Sequence, residues 1–160
     1  LAVVANGATE PGVRMCQENL TLAQSTGSSP KLIVAALIEL GYAWSAARAY
    51  KQASVALHDN LDLLRALGEK SLTADALLLA ATIAEGEGNT QRAARCLGAA
   101  DALYTRHSAL QSIVYLLAYA QTHTNIRASL DEEAFRTAWQ LGRAMSLAEA
   151  LHYAADDTNI

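Results

Sequence analysis

Apolar residues recur every three or four positions along most of the chain, and short polar or glycine-containing breaks separate the runs. That spacing lines up side chains on one face of a 3.6-residue helix. It predicts eight helices, at about 10–26, 31–47, 50–67, 71–86, 90–106, 109–128, 131–143 and 146–155. The helix at 50–67 is amphipathic, with Tyr50, Ala53, Leu57, Leu61 and Leu64 on one stripe and Lys51, His58, Asp62 and Arg65 on the other, so it needs one covered face. The helix at 71–86 is apolar almost all round, through Leu72, Ala76, Leu77, Leu79, Ala80, Ala81, Ile83 and Ala84. It reads as an inner helix flanked on several sides.

Local stop and start signals agree with this division. Ser29 precedes Pro30, the residue suited to a first helical turn because its missing N–H has no partner there anyway. Asn89 suits the cap of the helix at 90–106. Ser108–Gln111, Ser129–Glu132 and Ser146–Glu149 each have capping-box spacing. Gly27, Gly68 and Gly142 fall where helices are expected to stop. The connections are short, so consecutive helices are expected to pack as antiparallel hairpins.

Composition sharpens the class. Ala and Leu supply 58 of 160 residues, against two prolines and one phenylalanine, which argues for an all-α chain and against a β-sandwich, a barrel or a disordered segment. The net charge of −4 and the pI near 5.5, with no Lys/Arg cluster, point away from direct nucleic-acid contact and from an anionic membrane surface. The most apolar run, 32–38, is too short to span a bilayer. Cys16 and Cys96 stand far apart with no metal-ligand neighbours, which fits a reducing, cytoplasmic setting. The opening LAVVANGA has neither an initiator Met nor a basic start, and reads as the edge of a piece from a longer protein.

The chain also repeats itself. Residues 36–53 overlay 76–93 at an offset of 40, pairing Leu37 with Leu77, Ile38 with Leu78, Gly41 with Ala81, Trp44 with Ala84 and Ala53 with Ala93; Leu57 pairs with Leu97. NLTLAQSTG at 19–27 overlays NLDLLRALG at 60–68 at an offset of 41. A period of this length is the signature of stacked helical hairpins. Leu40-Gly41 with Trp44, followed by Ala53 and Leu57, resembles the tetratricopeptide repeat. Leu57 stands where that family has an aromatic, and the period is near forty rather than thirty-four. The resemblance implies an α-α superhelix, a right-handed solenoid. Within one domain, 10–26 would be the second half of a truncated repeat, 31–67 and 71–106 whole repeats, and 109–155 closing helices. A generic Ala-rich solenoid or bundle is the alternative.

A second resemblance covers 92–155. RAARCLGAADAL and DEEAFRTAWQLGRAMSLAEALHYA look like the C-terminal end of the repeat region in large bacterial signal-transduction ATPases with LuxR-type transcriptional-regulator architectures. The residues carrying it include Leu97, Gly98, Phe135, Ala138, Trp139, Gly142, Ser146 and Glu149. It implies a C-terminal sensor or interaction segment whose nucleotide- and DNA-binding domains lie outside this sequence. No GxxxxGK[ST] loop occurs here. On physical grounds Phe135 and Trp139, four apart on one face, would close the apolar end of an open stack. At the other end Val13, Leu20 and Ala23 are expected to be exposed and to seek another surface.

No reactive constellation appears. His58, His107, His123 and His152 are scattered without HExxH or HxxxH spacing, so no metal or other cofactor is expected. GxSxG and GxGxxG turns are absent. Asp131, Glu132 and Glu133 suit a helix N-terminus, and Glu85 and Glu87 flank a glycine turn. A non-catalytic module follows, one that takes a protein, a peptide or a small effector in a concave groove. By repeat register the groove residues would be Ala35, Ile38, Tyr42 and Ser45 on one inner helix and Asp75, Leu78, Thr82 and Glu85 on the next. Tyr42 is the leading contact, or else an aromatic packed between hairpins. The alternative function is a structural spacer or self-association element, mating with upstream repeats of the same chain or forming a homodimer.

Overall fold

The computed structural model describes residues 9–107 and 113–156. Every element among them is an α-helix: α1 Thr9–Ser25, α2 Pro30–Ala46, α3 Tyr50–Leu67, α4 Lys70–Gly86, α5 Thr90–His107, α6 Ile113–Ser129, α7 Glu132–Arg143 and α8 Leu147–Ala155. The chain divides into two compact units between Leu67 and Gly68.

In the first unit α2 packs on both α1 and α3. It buries nine residues spread around its circumference, from Val34 to Ser45, as a helix with neighbours on two sides must. Val13 of α1 joins Leu40 and Ala43 of α2 in a core against which Cys16, Leu20, Trp44 and Ala47 pack. The aromatic of the repeat motif, Trp44, therefore works at this helix contact. The expected exposure of Val13 and Leu20 is corrected here: Val13 is buried and Leu20 half-buried, because α2 covers the stripe they share. Met15 and Leu22 are the exposed apolar residues of α1. On α3 the buried stripe runs Ala53, Ala56, Leu57, Asn60, Leu61 and Leu64.

In the second unit α5 touches α4, α6, α7 and α8, and α4 touches α6 and α8 as well. The apolar circumference of α4 is thus accounted for. Gly142 does not stop a helix: α7 continues to Arg143 and is capped by Ala144. A Cβ on Gly142 would overlap the Arg95 carbonyl oxygen of α5 and lie 2.8 Å from its carbon, and one on Gly98 would overlap the Trp139 carbonyl oxygen of α7. The two glycines bring the α5 and α7 backbones into contact, an approach no side chain permits.

The turns carry the repeat most clearly. After α1, Ser28 N–H donates to Ala23 O at 3.0 Å and Gly27 N–H to Gln24 O at 3.4 Å. After α2, Ala49 N–H donates to Trp44 O at 2.9 Å and Arg48 N–H to Ser45 O at 3.0 Å. After α4, Asn89 N–H donates to Ala84 O at 2.8 Å and Gly88 N–H to Glu85 O at 3.0 Å. Each is a Schellman closure, which needs a left-handed residue. Gly27, Arg48 and Gly88 supply it at φ of 65°, 58° and 83°.

The cap expectations divide. Ser146 and Glu149 form the full capping box, and Asn89 Oδ1 accepts from Arg92 N–H at 3.2 Å. Ser29 precedes Pro30 as expected but makes no side-chain cap bond. Ser129 belongs to α6 and its hydroxyl donates to Asn125 O; Asp131 caps α7 instead, accepting from Ala134 N–H at 2.9 Å. A carboxylate directly before the first turn is the stronger acceptor for the positive end of the helix. The box expected at Ser108–Gln111 lies outside the described residues.

Candidate functional site

Four of the eight groove residues expected from the repeat register lie buried: Ile38, Tyr42 and Ser45 on α2, and Leu78 on α4. Ser45 Oγ donates to Gly41 O at 2.9 Å. Asp75 and Thr82 are tied to neighbouring helices. Asp75 Oδ1 accepts from the Tyr104 hydroxyl of α5 at 2.7 Å. Thr82 Oγ1 donates to Leu78 O, so its 3.0 Å contact with Thr122 Oγ1 of α6 has Thr122 as donor. Glu85 is half-buried beside the turn. The face of α4 that carries Asp75, Leu78 and Thr82 thus makes bonds to α5 and α6 rather than standing open.

That seam continues as a line of rings. Tyr104 and Tyr115 centroids are 3.7 Å apart, Tyr115 to Tyr119 and Tyr119 to His123 are each 6.0 Å, and His123 meets Phe135 edge-on at 5.3 Å. The spacing 115, 119, 123 is one α6 face. Phe135, buried on α7, is also covered by the Arg127 guanidinium at 5.3 Å, and Arg127 pairs with Glu132. Trp139 lies under Arg143 at 4.7 Å, and Arg143 pairs with Asp101 of α5. The two aromatics of the C-terminal motif thus face α6 and α5.

Burial sets the electrostatics of this region. It raises Tyr104, Tyr115 and Tyr119, with the Asp75 carboxylate adding to the first two and the Trp139 indole N–H opposing it at the third. It raises Asp75, against the bond from Tyr104. It lowers His123, helped by Arg127 and opposed by Glu132. Burial also pushes the Cys96 thiol up to about 11, the Arg92 guanidinium holding it back. A thiol there stays protonated near neutral pH and is a poor nucleophile. Among the described residues no group of three or more His, Cys, Asp or Glu is placed to hold a metal ion.

Open surface lies elsewhere. In the first unit α1 and α2 enclose a groove of about 320 Å³ lined by Asn19, Leu22, Ala23, Thr26, Ser28, Leu32, Ala35, Ala36 and Glu39. Its apolar rims are Leu22, 60% exposed, and Leu32, 59% exposed. The hydroxyl end is satisfied within itself: Thr26 Oγ1 donates to Leu22 O at 2.8 Å and bonds Ser28 Oγ at 3.1 Å. Of the register-derived set only Ala35 lines it. Leu22 has a sequence signal of its own: two residues from Leu20, it points about 200° away around the helix and cannot share that core stripe. In the second unit, one cavity of about 350 Å³ lies between α5 and α7 beside Arg95, Asp131 and Glu133. Another of about 400 Å³ lies beside Leu141, Glu149, His152 and Tyr153. Both mix charges of opposite sign or polar groups. No family model, no curated protein and no solved structure matches the chain.

Proposed function

We propose that this chain is a non-catalytic interaction module that binds a protein or peptide, and that it forms the C-terminal sensor or scaffold part of a larger bacterial transcriptional regulator. The observation that carries the reading is the α1–α2 groove, where two leucines stand about 60% exposed across a cleft floored by Ala23, Ala35 and Ala36 and edged by Asn19, Thr26, Ser28 and Glu39. Desolvating such side chains favours association by roughly 25 cal/mol per Å² of apolar surface. The regulator assignment rests on the motif in 92–155, and the tetratricopeptide-like superhelix on the repeat register. Schellman turns 40 residues apart, at Arg48 and Gly88, support that register. The reading carries with it a cytoplasmic setting, in keeping with two free thiols. No helix among the described residues is long and apolar enough to cross a membrane.

The test is selection of a displayed random-peptide library on the folded chain, with Leu22→Glu and Leu32→Glu as counter-selections. Sequences enriched on the parent chain and lost on both variants are expected. No enrichment, with folding verified by circular dichroism, would overturn the interaction reading.

A further inference from the structure

The geometry points to the α1–α2 groove as a seat for one amphipathic helix of a protein partner, apolar along the stripe that enters the groove and basic where it passes Glu39. This deepens the interaction-module reading and rests on it. Three observations specify the occupant. The first is shape. The walls present residues 19, 22, 23 and 26 of α1 and 32, 35, 36 and 39 of α2. Both sets follow the i, i+3, i+4, i+7 rule, so the cleft runs between two parallel ridges of side chains, into which the ridge of a third helix fits.

The second observation is the chain's own repeat. At an offset of 41, the α1 wall corresponds to Asn60, Leu63, Leu64 and Leu67 of α3, all buried or half-buried. At an offset of 40, the α2 wall corresponds to Leu72, Asp75, Ala76 and Leu79 of α4, again all buried or half-buried. Leu22 and Leu32 therefore occupy positions that this sequence covers in its other copy. The contrast is sharpest at Leu64, which is fully buried where Ala23 is not.

The third is charge. Glu39 is the one charged residue among those lining the groove, and it is exposed at one end. In the second copy its place is taken by Leu79, fully buried. The hydroxyls at the opposite end bond to each other and to the α1 backbone, so they call for no polar partner. A helix lying in the groove thus meets Leu22, Ala23, Leu32, Ala35 and Ala36 between the Thr26 and Ser28 hydroxyls at one end and the Asn19 amide and Glu39 carboxylate at the other. A Lys or Arg there is favoured by Coulomb attraction, and a Glu is repelled.

Lactam-stapled 18-residue peptides test this, with leucines at i, i+3, i+4 and i+7 on an alanine background and a single lysine placed at one end or the other. Their twins carry glutamate there. Fluorescence anisotropy reads affinity for the parent chain and for Glu39→Lys, Leu22→Glu and Leu32→Glu, each checked for native circular dichroism. One lysine placement is expected to bind about threefold to fivefold more tightly than its glutamate twin, as befits a partly exposed ion pair. That preference should reverse on Glu39→Lys, and either leucine change should weaken binding at least about tenfold. Binding indifferent to Glu39→Lys, or equal for stapled and helix-breaking D-residue versions, would overturn the helical occupant. If library-selected peptides still required Leu22 and Leu32, the interaction module would stand without it. A concentration-dependent dimer dispersed by Leu22→Glu, with no peptide bound, would also overturn it, in favour of a second copy as occupant.

Discussion

Arg48 and Ala49 occupy a turn that this chain builds better forty residues later. Arg48 is the only non-glycine residue with positive φ among those described, at 58°. It closes the Schellman motif after α2, and Ala49 then precedes α3 with no side chain to cap it. The counterpart after α4 reads Gly88-Asn89, with Gly88 at φ 83° and the Asn89 amide oxygen accepting from Arg92 N–H. The left-handed region costs an ordinary L-residue roughly 1–2 kcal/mol. Glycine avoids that cost but loses about 0.5–1 kcal/mol more backbone entropy on folding. The net gain expected of Arg48→Gly is therefore about 0.5–1 kcal/mol. Ala49→Asn adds an N-cap, about 1 kcal/mol. The side chain of Arg48 is exposed, so little packing offsets the gain. Urea titration monitored by circular dichroism at 222 nm is the assay, read as a rise in midpoint at constant slope. A kcal/mol corresponds to roughly 4–8 °C in Tm for a unit of this size. The mirror change Gly88→Arg should lose about 1 kcal/mol or more. If Arg48→Gly left the midpoint unchanged or lowered it while Gly88→Arg was harmless, φ would not govern these turns, and the reasoning would fail.

Further outcomes follow from the core. Gly142→Ala or Gly98→Ala forces α5 and α7 apart and should cost more than about 2 kcal/mol; a loss under about 0.5 kcal/mol by urea titration would show the crossing to be yielding. Asn60, fully buried with neither amide atom hydrogen-bonded, has Ala100 as its counterpart at an offset of 40. Asn60→Ala should stay within about 1 kcal/mol of the parent chain, since an unpaired buried amide contributes little net stability, whereas Leu61→Ala should cost about 2–5 kcal/mol; equal losses would refute the contrast. His123 is held below its ordinary pKa of about 6.5. The unfolded chain therefore takes up its proton first as pH falls, and the stability this group confers is present above that value and lost as pH drops through the folded one. Between pH 7.5 and 5 the midpoint of the parent should fall more steeply than that of His123→Phe; parallel curves would remove His123 from the account.

Helix positions were legible because their signals are local. The Ser146–Glu149 box, Pro30 and the glycines at 27 and 68 each act through backbone groups within one turn of themselves, and the sequence spells out that neighbourhood. Even the turn at Arg48, which has no sequence signal of its own, falls in the repeat register. The site was less legible. The register puts Ile38, Tyr42 and Leu78 on an open face, yet they are buried; Leu22 and Leu32, which the register does not select, rim the groove.

What the sequence determined by itself is the all-α class, the eight helices of the described residues to within a few positions, and the repeat that relates α1 and α2 to α3 and α4. Which of two glycines permits a left-handed turn, as at Gly88, and which lets two backbones touch, as at Gly142, was decided only by the tertiary structure. So was the choice between Val13 and Leu22 as the covered and the exposed side chain of α1. Burial depends on which helices come to lie against a given stripe. That is settled by contacts between residues distant in the chain, about which local spacing holds no information.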